Sequence, residues 1–293
     1  MAGLSAALRW AERTPDFVRS MLNATSPPAS YTELPLCTLD AEKIEAVWRY
    51  DPINAHQQLV LPDGRVDLVA HCAVQPGGAV TSVWLVIAGP ADRPALVALR
   101  PGTVVMGVRF HIGWGGACLG IDPGALRNRT LTGVDAERVL GPWVSHLLGA
   151  DTLPAVESSL RATASMLVSR ASVTAAHRRA LEAINRMKLR RVAQWPSPGG
   201  TTTTTPAFKP ASRTLRRDLV TVAGLPLRTL AGILRFQEAM VLLNASAASL
   251  GEVALMSGYA DQAHMTREFR RFGGFTPAAP QSAPLVRLDM RSQ

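Results

Sequence analysis

The chain has 293 residues, enough for about two domains, and 47% of them are hydrophobic, enough for packed cores. The formal net charge of +9 is one-sided: residues 171–293 carry 17 Lys and Arg against 7 Asp and Glu, whereas residues 1–170 carry 14 against 15. That basic excess suits a phosphate polyanion as partner. No membrane role is expected, because no apolar run reaches the ~18 residues of a span and no long basic amphipathic helix with aromatic anchors stands out.

Residues 1–30 read as an N-terminal extension. Leu4, Leu8 and Ala11 suggest a short amphipathic helix that Ser26-Pro27-Pro28 ends. Arg9, Glu12, Arg13 and Asp16 interrupt any apolar run, so no signal peptide is expected and the chain is expected in the cytoplasm. Cys37, Cys72 and Cys118 are odd in number, widely spaced and without a Cys-x-x-Cys pair. Buried thiols are the expectation, with neither a disulfide framework nor a zinc site.

Residues 31–150 form a β-rich unit. Leu59-Val60-Leu61 leads into the turn signal Pro62-Asp63-Gly64. Strands are expected over 66–73, 80–88, 96–99 and 104–110, at roughly ten-residue spacing with Pro/Gly turns between them, which suggests a small barrel or sandwich. Residues 114–120 read as a short helix, and Asp122-Pro123 as the opening of another.

Little catalytic chemistry is visible in this unit. His56, His71 and His111 are lone and scattered, and neither a Walker-type Gly-Lys-Ser/Thr nor a Gly-x-Ser-x-Gly occurs. Gly113-Trp114-Gly115-Gly116-Ala117-Cys118 departs from a dinucleotide loop at Cys118 and lacks the βαβ context, so no cofactor and no metal are expected. Asp63, Asp67 and Arg109 are the candidate ligand-binding residues. Arg109 alternates with Val108 and Phe110, so it is either a surface or salt-bridged arginine or an effector-binding cation in a pocket.

Residues 151–172 read as a helical connector, with Val156, Leu160, Ala164 and Leu167 at helical spacing. Such a helix suits packing between domains or dimerisation. Another helix is expected from Val173-Thr174 to about Ala193, with Leu181, Ile184, Met187 and Val192 inward and with His177-Arg178-Arg179 and residues 188–191 as basic edges. Residues 195–211 are a Pro/Gly/Thr-rich insertion that cannot be helical. Then come a helix opening at Arg213 and ended by Gly224-Leu225-Pro226, and a long helix over 227–243.

The most organised stretch is 249–277. Ser249 and Glu252 make a capping box, Gly258 suits a tight turn, and Asp261 is a second N-cap. Met265, Phe269 and Phe272 form a buried stripe, and Gly273-Gly274 with Pro277 stop the helix. Two short helices about a glycine turn, the second basic outside, are the helix-turn-helix layout; an ordinary αα-hairpin with a solvated charged face is the plainer alternative.

The wording Gly258-Tyr259-Ala260-Asp261 … Arg267-Glu268-Phe269 … Gly274-Phe275-Thr276-Pro277 resembles the signature of the AraC/XylS family of bacterial transcription regulators. The resemblance implies a domain over 173–285 with two helix pairs joined by one long helix, here 227–243. It places base-facing positions on Arg213, Arg216 and Arg217 in the first pair and on Gln262, Ala263, Thr266 and Arg267 in the second, with Arg270 added on the basic face. Arg and Gln suit guanine and adenine edges, and Ala263 a thymine methyl. The insertion after the first scaffold helix departs from the family pattern and puts the first pair in question. Residues 60–68 and 107–120 are similar to the N-terminal domain of an AraC-family subgroup, which implies a cupin-like β-barrel sensor of mostly unassigned ligand. The fold class expected is therefore α+β, a small barrel followed by an all-α domain.

The resemblance implies a transcription regulator that binds double-stranded DNA and is not an enzyme. RNA polymerase, a small-molecule effector and a second copy of the chain are the further partners it suggests, with a nucleoid-associated location. Two other readings stay open: a fold-retaining protein-interaction module with impaired DNA binding, and a cupin-type enzyme.

Overall fold

A computed structural model describes residues 30–36, 41–51, 56–193, 212–245 and 248–278. The N-terminal extension over 1–29, Cys37 and all of the 195–211 insertion lie outside the described residues.

The fold is α+β. Eight strands, β1 (Ser30–Leu34), β2 (Ile44–Asp51), β3 (His56–Val60), β4 (Asp67–Val74), β5 (Val80–Ala88), β6 (Ala95–Leu99), β7 (Thr103–Phe110) and β8 (Thr130–Thr132), precede most of the helices. Six of them pair antiparallel in the order β1-β2-β7-β4-β5-β8, and β3 pairs with β6 in a second, two-stranded sheet. Closure into a ring is not among the strand pairings of the described residues.

Alternation decides which side of the large sheet each residue serves. Leu68, Ala70 and Cys72 of β4, Val83, Leu85 and Ile87 of β5, and Met106, Val108 and Phe110 of β7 point into the main core. Tyr31, Tyr50, Val69, Val86 and Val105 cluster on the other face with Leu99 of the small sheet. Covering both faces buries every residue of β4 from Leu68 to Cys72, so this part of the strand does not show a strict alternation. Gly107 stands opposite Trp48 in the ladder and is bare so that the indole ring can lie across it.

Helices α1 (Gly115–Leu119), α2 (Val134–Leu140), α3 (Val144–Leu148) and α4 (Leu153–Arg170) follow. Residues 122–128 turn rather than form a helix, with Asp122 Oδ1 accepting from the Gly124 amide at 2.8 Å. The inward stripe of α4, Val156, Leu160, Ala164, Leu167 and Val168, belongs to the same core as the large sheet. Lys43 Nζ donates to the Val168 carbonyl at 3.0 Å, holding the helix end to the loop before β2.

The rest is helical: α5 (Ala175–Ala193), α6 (Arg213–Ala223), α7 (Leu227–Ala245), α8 (Leu250–Met256) and α9 (Gln262–Phe272). No single described helix is long and apolar enough to cross a membrane.

Candidate nucleic-acid interface

The second helix pair is fixed at every joint. Ser249 Oγ accepts from the Glu252 amide at 3.3 Å, and Glu252 Oε2 accepts from the Ser249 amide at 2.7 Å. The Ser249 hydroxyl also donates to Oε2 at 2.8 Å, and this bond, together with the one from the Ser249 amide, favours the charged carboxylate and lowers its pKa. Gly258 turns the chain at φ 77, a conformation that costs a side-chain-bearing residue about 1 kcal/mol or more. Asp261 Oδ1 then accepts from the His264 amide at 2.6 Å and starts α9.

Behind α9, Met265, Phe269 and Phe272 are fully buried. Phe236 of α7 meets Phe269 edge-on at 4.9 Å, and Phe275 closes the cluster at 6.0 Å from Phe269. Arg235 of α7 reaches both oxygens of Glu268 at 3.2 and 3.3 Å while lying over the Tyr259 ring. The long helix therefore sets the rotation of α9. What α9 leaves outside is Gln262, Ala263, Arg267 and Arg270, all exposed, with Thr266 half-buried between them. The Thr266 hydroxyl donates to the Gln262 carbonyl at 2.9 Å, so toward a ligand it presents its methyl and its lone pairs.

In the first pair, α6 is capped by Ser212, whose Oγ accepts from the Leu215 amide at 3.1 Å. Gly224 ends it at φ 71 and donates to the Val220 carbonyl at 2.9 Å. Leu219, Val222 and Ala223 face inward, together with the buried carboxylate of Asp218. Arg179 of α5 donates to that carboxylate at 2.8 Å, which keeps the charge paired and ties α6 to α5. Arg213, Arg216 and Arg217 fall on the opposite, exposed face. Among the described residues, no ion pair involves Arg213, Arg216, Arg217, Arg267 or Arg270. Two capped helices thus each hold out uncompensated guanidiniums over an apolar back.

Asp63, Asp67 and Arg109 lie together elsewhere, at the end of β7. Arg109 Nε stands 3.3 Å from Asp67 and 3.6 Å from Asp63. Arg65 bonds Glu45 at 2.6 Å, and His111 Nδ1 is 3.3 Å from the same oxygen. Burial pushes Asp67 upward against the pull of Arg109. Burial also opposes charge on Glu45, but Arg65 and His111 overcome it and hold that carboxyl well below the usual range. Lys188 of α5, read from sequence as a basic edge, is instead partly buried within electrostatic reach of Glu45 and Arg65. Burial brings its ammonium down to about 8 despite the attraction of Glu45. The cluster compensates its own charges, and sequence reasoning missed its members Glu45, Arg65 and Lys188. Separately, a cavity of about 160 Å³ lies between β2 and α4, lined by Leu36, Ile44, Val47, Arg161 and Ala164, and none of the three predicted ligand residues lines it.

His71 is buried and stacked on Trp84 at 5.1 Å, and burial lowers its pKa to about 4. Cys72 and Cys118 are buried free thiols. Among the described residues, no group of three or more His, Cys, Asp or Glu side chains is arranged to hold a metal ion.

Comparison with known proteins agrees with this layout. Residues 207–282 match the family described as helix-turn-helix domain, and residues 40–132 match a family described only as a domain of unknown function. No curated protein matches the sequence significantly. Among solved structures, an apo variant of ToxT from Vibrio cholerae is 13% identical, covering 81% of this chain and 97% of that one at a TM-score of 0.36. ToxT with a bound unsaturated fatty acid is 11% identical, covering 84% and 98% at a TM-score of 0.33. Superpositions this loose carry no residue-level correspondence, and the fatty acid is a property of ToxT.

The family match runs from just before α6 through α9, so two capped helices on either side of the long α7 lie within one helix-turn-helix domain. The chain thus carries a helix-turn-helix domain over residues 207–282, preceded by a β-rich domain whose match over residues 40–132 has no assigned function.

Proposed function

We propose that the protein regulates transcription by binding specific double-stranded DNA sequences with α6 and α9. Arg213, Arg216 and Arg217 on one helix and Gln262, Ala263, Thr266, Arg267 and Arg270 on the other are its contacts to base edges and phosphates. The observation that carries this reading is the pair of outward arginine faces that no described carboxylate compensates. The geometry of α7 supports it: 19 residues span roughly 28 Å at 1.5 Å each, close to the ~34 Å of one DNA turn, so the two reading helices suit successive major-groove segments on one face of the duplex.

On this reading residues 31–172 form the sensor, α4 included because its stripe completes the sheet core, and residues 173–285 the reader. An effector acts by favouring one arrangement of the two parts over another. Asp63, Asp67 and Arg109 remain its candidate contacts, and a ligand that engages Arg109 has to displace a carboxylate already paired with it. RNA polymerase and a second copy of the chain are the protein partners of this reading, in the nucleoid-associated cytoplasm.

Selection of bound duplexes from a randomised pool tests the proposal. A recovered motif with two segments about one helical turn apart is the expected result. Recovery of no motif, with Arg267→Ala leaving binding unchanged, refutes it.

A further inference from the structure

The two helix pairs are built differently. In the second, α8 ends at Met256 and α9 begins at Gln262, and every buried core residue lies within 225–275, with the partly buried Leu59 and Leu61 of the β-rich domain packed against its edge. In the first, α5 ends at Ala193 and α6 begins only at Arg213, and the core includes a residue from the β-rich domain. That residue is Ile112, 2% exposed, packed with Ala180, Ile184, Met187, Leu219 and Val222.

Its neighbours follow it into the joint. Gly113 has φ 90, and a Cβ there would meet Leu181, Ile184 and Val222 at 3.0 to 3.3 Å, so the backbone itself lies against both helices. The Trp114 ring lies 5.0 Å from that of His177 on α5, and His177 is buried with no described partner for its Nε2. At the far end of α6, Gly224 rests on Pro123 and Pro90. The β-rich domain therefore touches α6 at its inward face and at its C-terminal cap.

We infer that Ile112-Gly113-Trp114 is a structural part of the first helix pair, a wedge by which the sensor domain positions the first reading helix. The second reading helix is positioned mainly by its own pair and by α7. The β-rich domain reaches that pair only through the partly buried Leu59 and Leu61 and the 3.9 Å approach of Asp92 to Arg271, at the edge of its core rather than within it. The wedge leaves directly from β7 and enters α1, so any shift of those elements moves α6 relative to α9. The fold part of this inference is independent of DNA; only its consequence for reading rests on the proposed function.

Hydrogen exchange on the full chain tests it. Ile112→Ala should make the α6 amides exchange at least about ten-fold faster while α9 amides keep their rates. Val83→Ala, a truncation in the sheet core away from the joint, should leave the ratio of α6 to α9 rates unchanged. Equal acceleration of both helices by Ile112→Ala, or acceleration of neither, overturns the wedge. Should Ile112→Ala fail to fold, Ile112→Val and His177→Gln carry the same expectation at smaller amplitude. A footprint then reads the consequence: Ile112→Ala should lose protection over one segment of the selected duplex and keep the other. Selective α6 exchange with no footprint at all would uphold the wedge and sink the DNA reading; selective exchange with both segments still protected would show the wedge to be without effect on reading and overturn its role there.

Discussion

Gly224 and Gly258 offer an internal comparison, because both turn the chain at positive φ, 71 and 77, beside a reading helix. An alanine at Gly258 would place its Cβ 3.8 Å from the nearest atom, the Cδ of Arg235, which is ordinary contact. Its cost is the left-handed conformation alone, about 1–2 kcal/mol. An alanine at Gly224 pays the same and also meets the Pro123 carbonyl oxygen at 2.6 Å and the Pro90 ring at 2.7 Å. Neither can be avoided by a rotamer, since one obstacle is backbone and the other a ring. Gly224→Ala should therefore cost roughly 1–3 kcal/mol more than Gly258→Ala, the range for overpacked sites. Urea unfolding of the two variants and the wild type measures the difference. Equal costs would mean that the 123–124 turn does not rest on the end of α6, and the docking of sensor on reader as described would be wrong.

Other expectations follow from single contacts. Arg267→Ala should weaken discrimination at one base position by about 1–3 kcal/mol in a competition binding assay, with fold stability unchanged; an unaltered site preference would displace Arg267 from the base-reading role. Phe269→Ala should cost about 3–5 kcal/mol in chemical unfolding, because the ring is fully buried between Phe236 and Phe275; a loss below about 1 kcal/mol would contradict that packing. His71 resists in the folded state a proton that it takes when unfolded, so its contribution is lost as pH falls from about 6.5 to about 4, to the extent of about 3 kcal/mol. Asp67, raised by burial, works in the opposite sense. His71→Phe keeps a ring on Trp84 and should flatten the histidine part of the acid limb; an acid limb identical to the wild type's would refute the assignment.

What the sequence made legible was local. The capping box at Ser249 and Glu252, the cap at Asp261, the turn at Gly258 and the helix over Leu153–Arg170 each depend on residues within one or two turns of each other, and each is present. The strand over Val80–Ala88 was legible because Val83, Leu85 and Ile87 are inward at every second position, with Ser82 and Trp84 exposed on either side of Val83. β1 and β2 were harder, because Tyr31, Trp48 and Tyr50 serve a second face that only the small sheet creates. The short helices over 134–148 lack side-chain caps and escaped notice. The joint was invisible for a different reason. Ile112 meets Leu219 across more than a hundred residues, and nothing beside Gly113 announces that α5 and α6 will lie against it. Lys188 looked like solvated charge because its partner, Glu45, lies at the other end of the β-rich domain's sequence.

The salt dependence of binding by the purified full chain to its selected duplex tests the central claim most directly. Five arginines stand on the two reading faces, and each phosphate neutralised contributes about −0.9 to the slope of log affinity against log salt. With Arg267 assigned to a base edge, at most four of them are left for phosphates. The account therefore predicts a specific complex whose slope from these side chains is negative and no steeper than about −4, reduced by about 1 for each phosphate-contacting arginine replaced by alanine. A complex indifferent to salt, or none that distinguishes the selected duplex from random DNA, would contradict it.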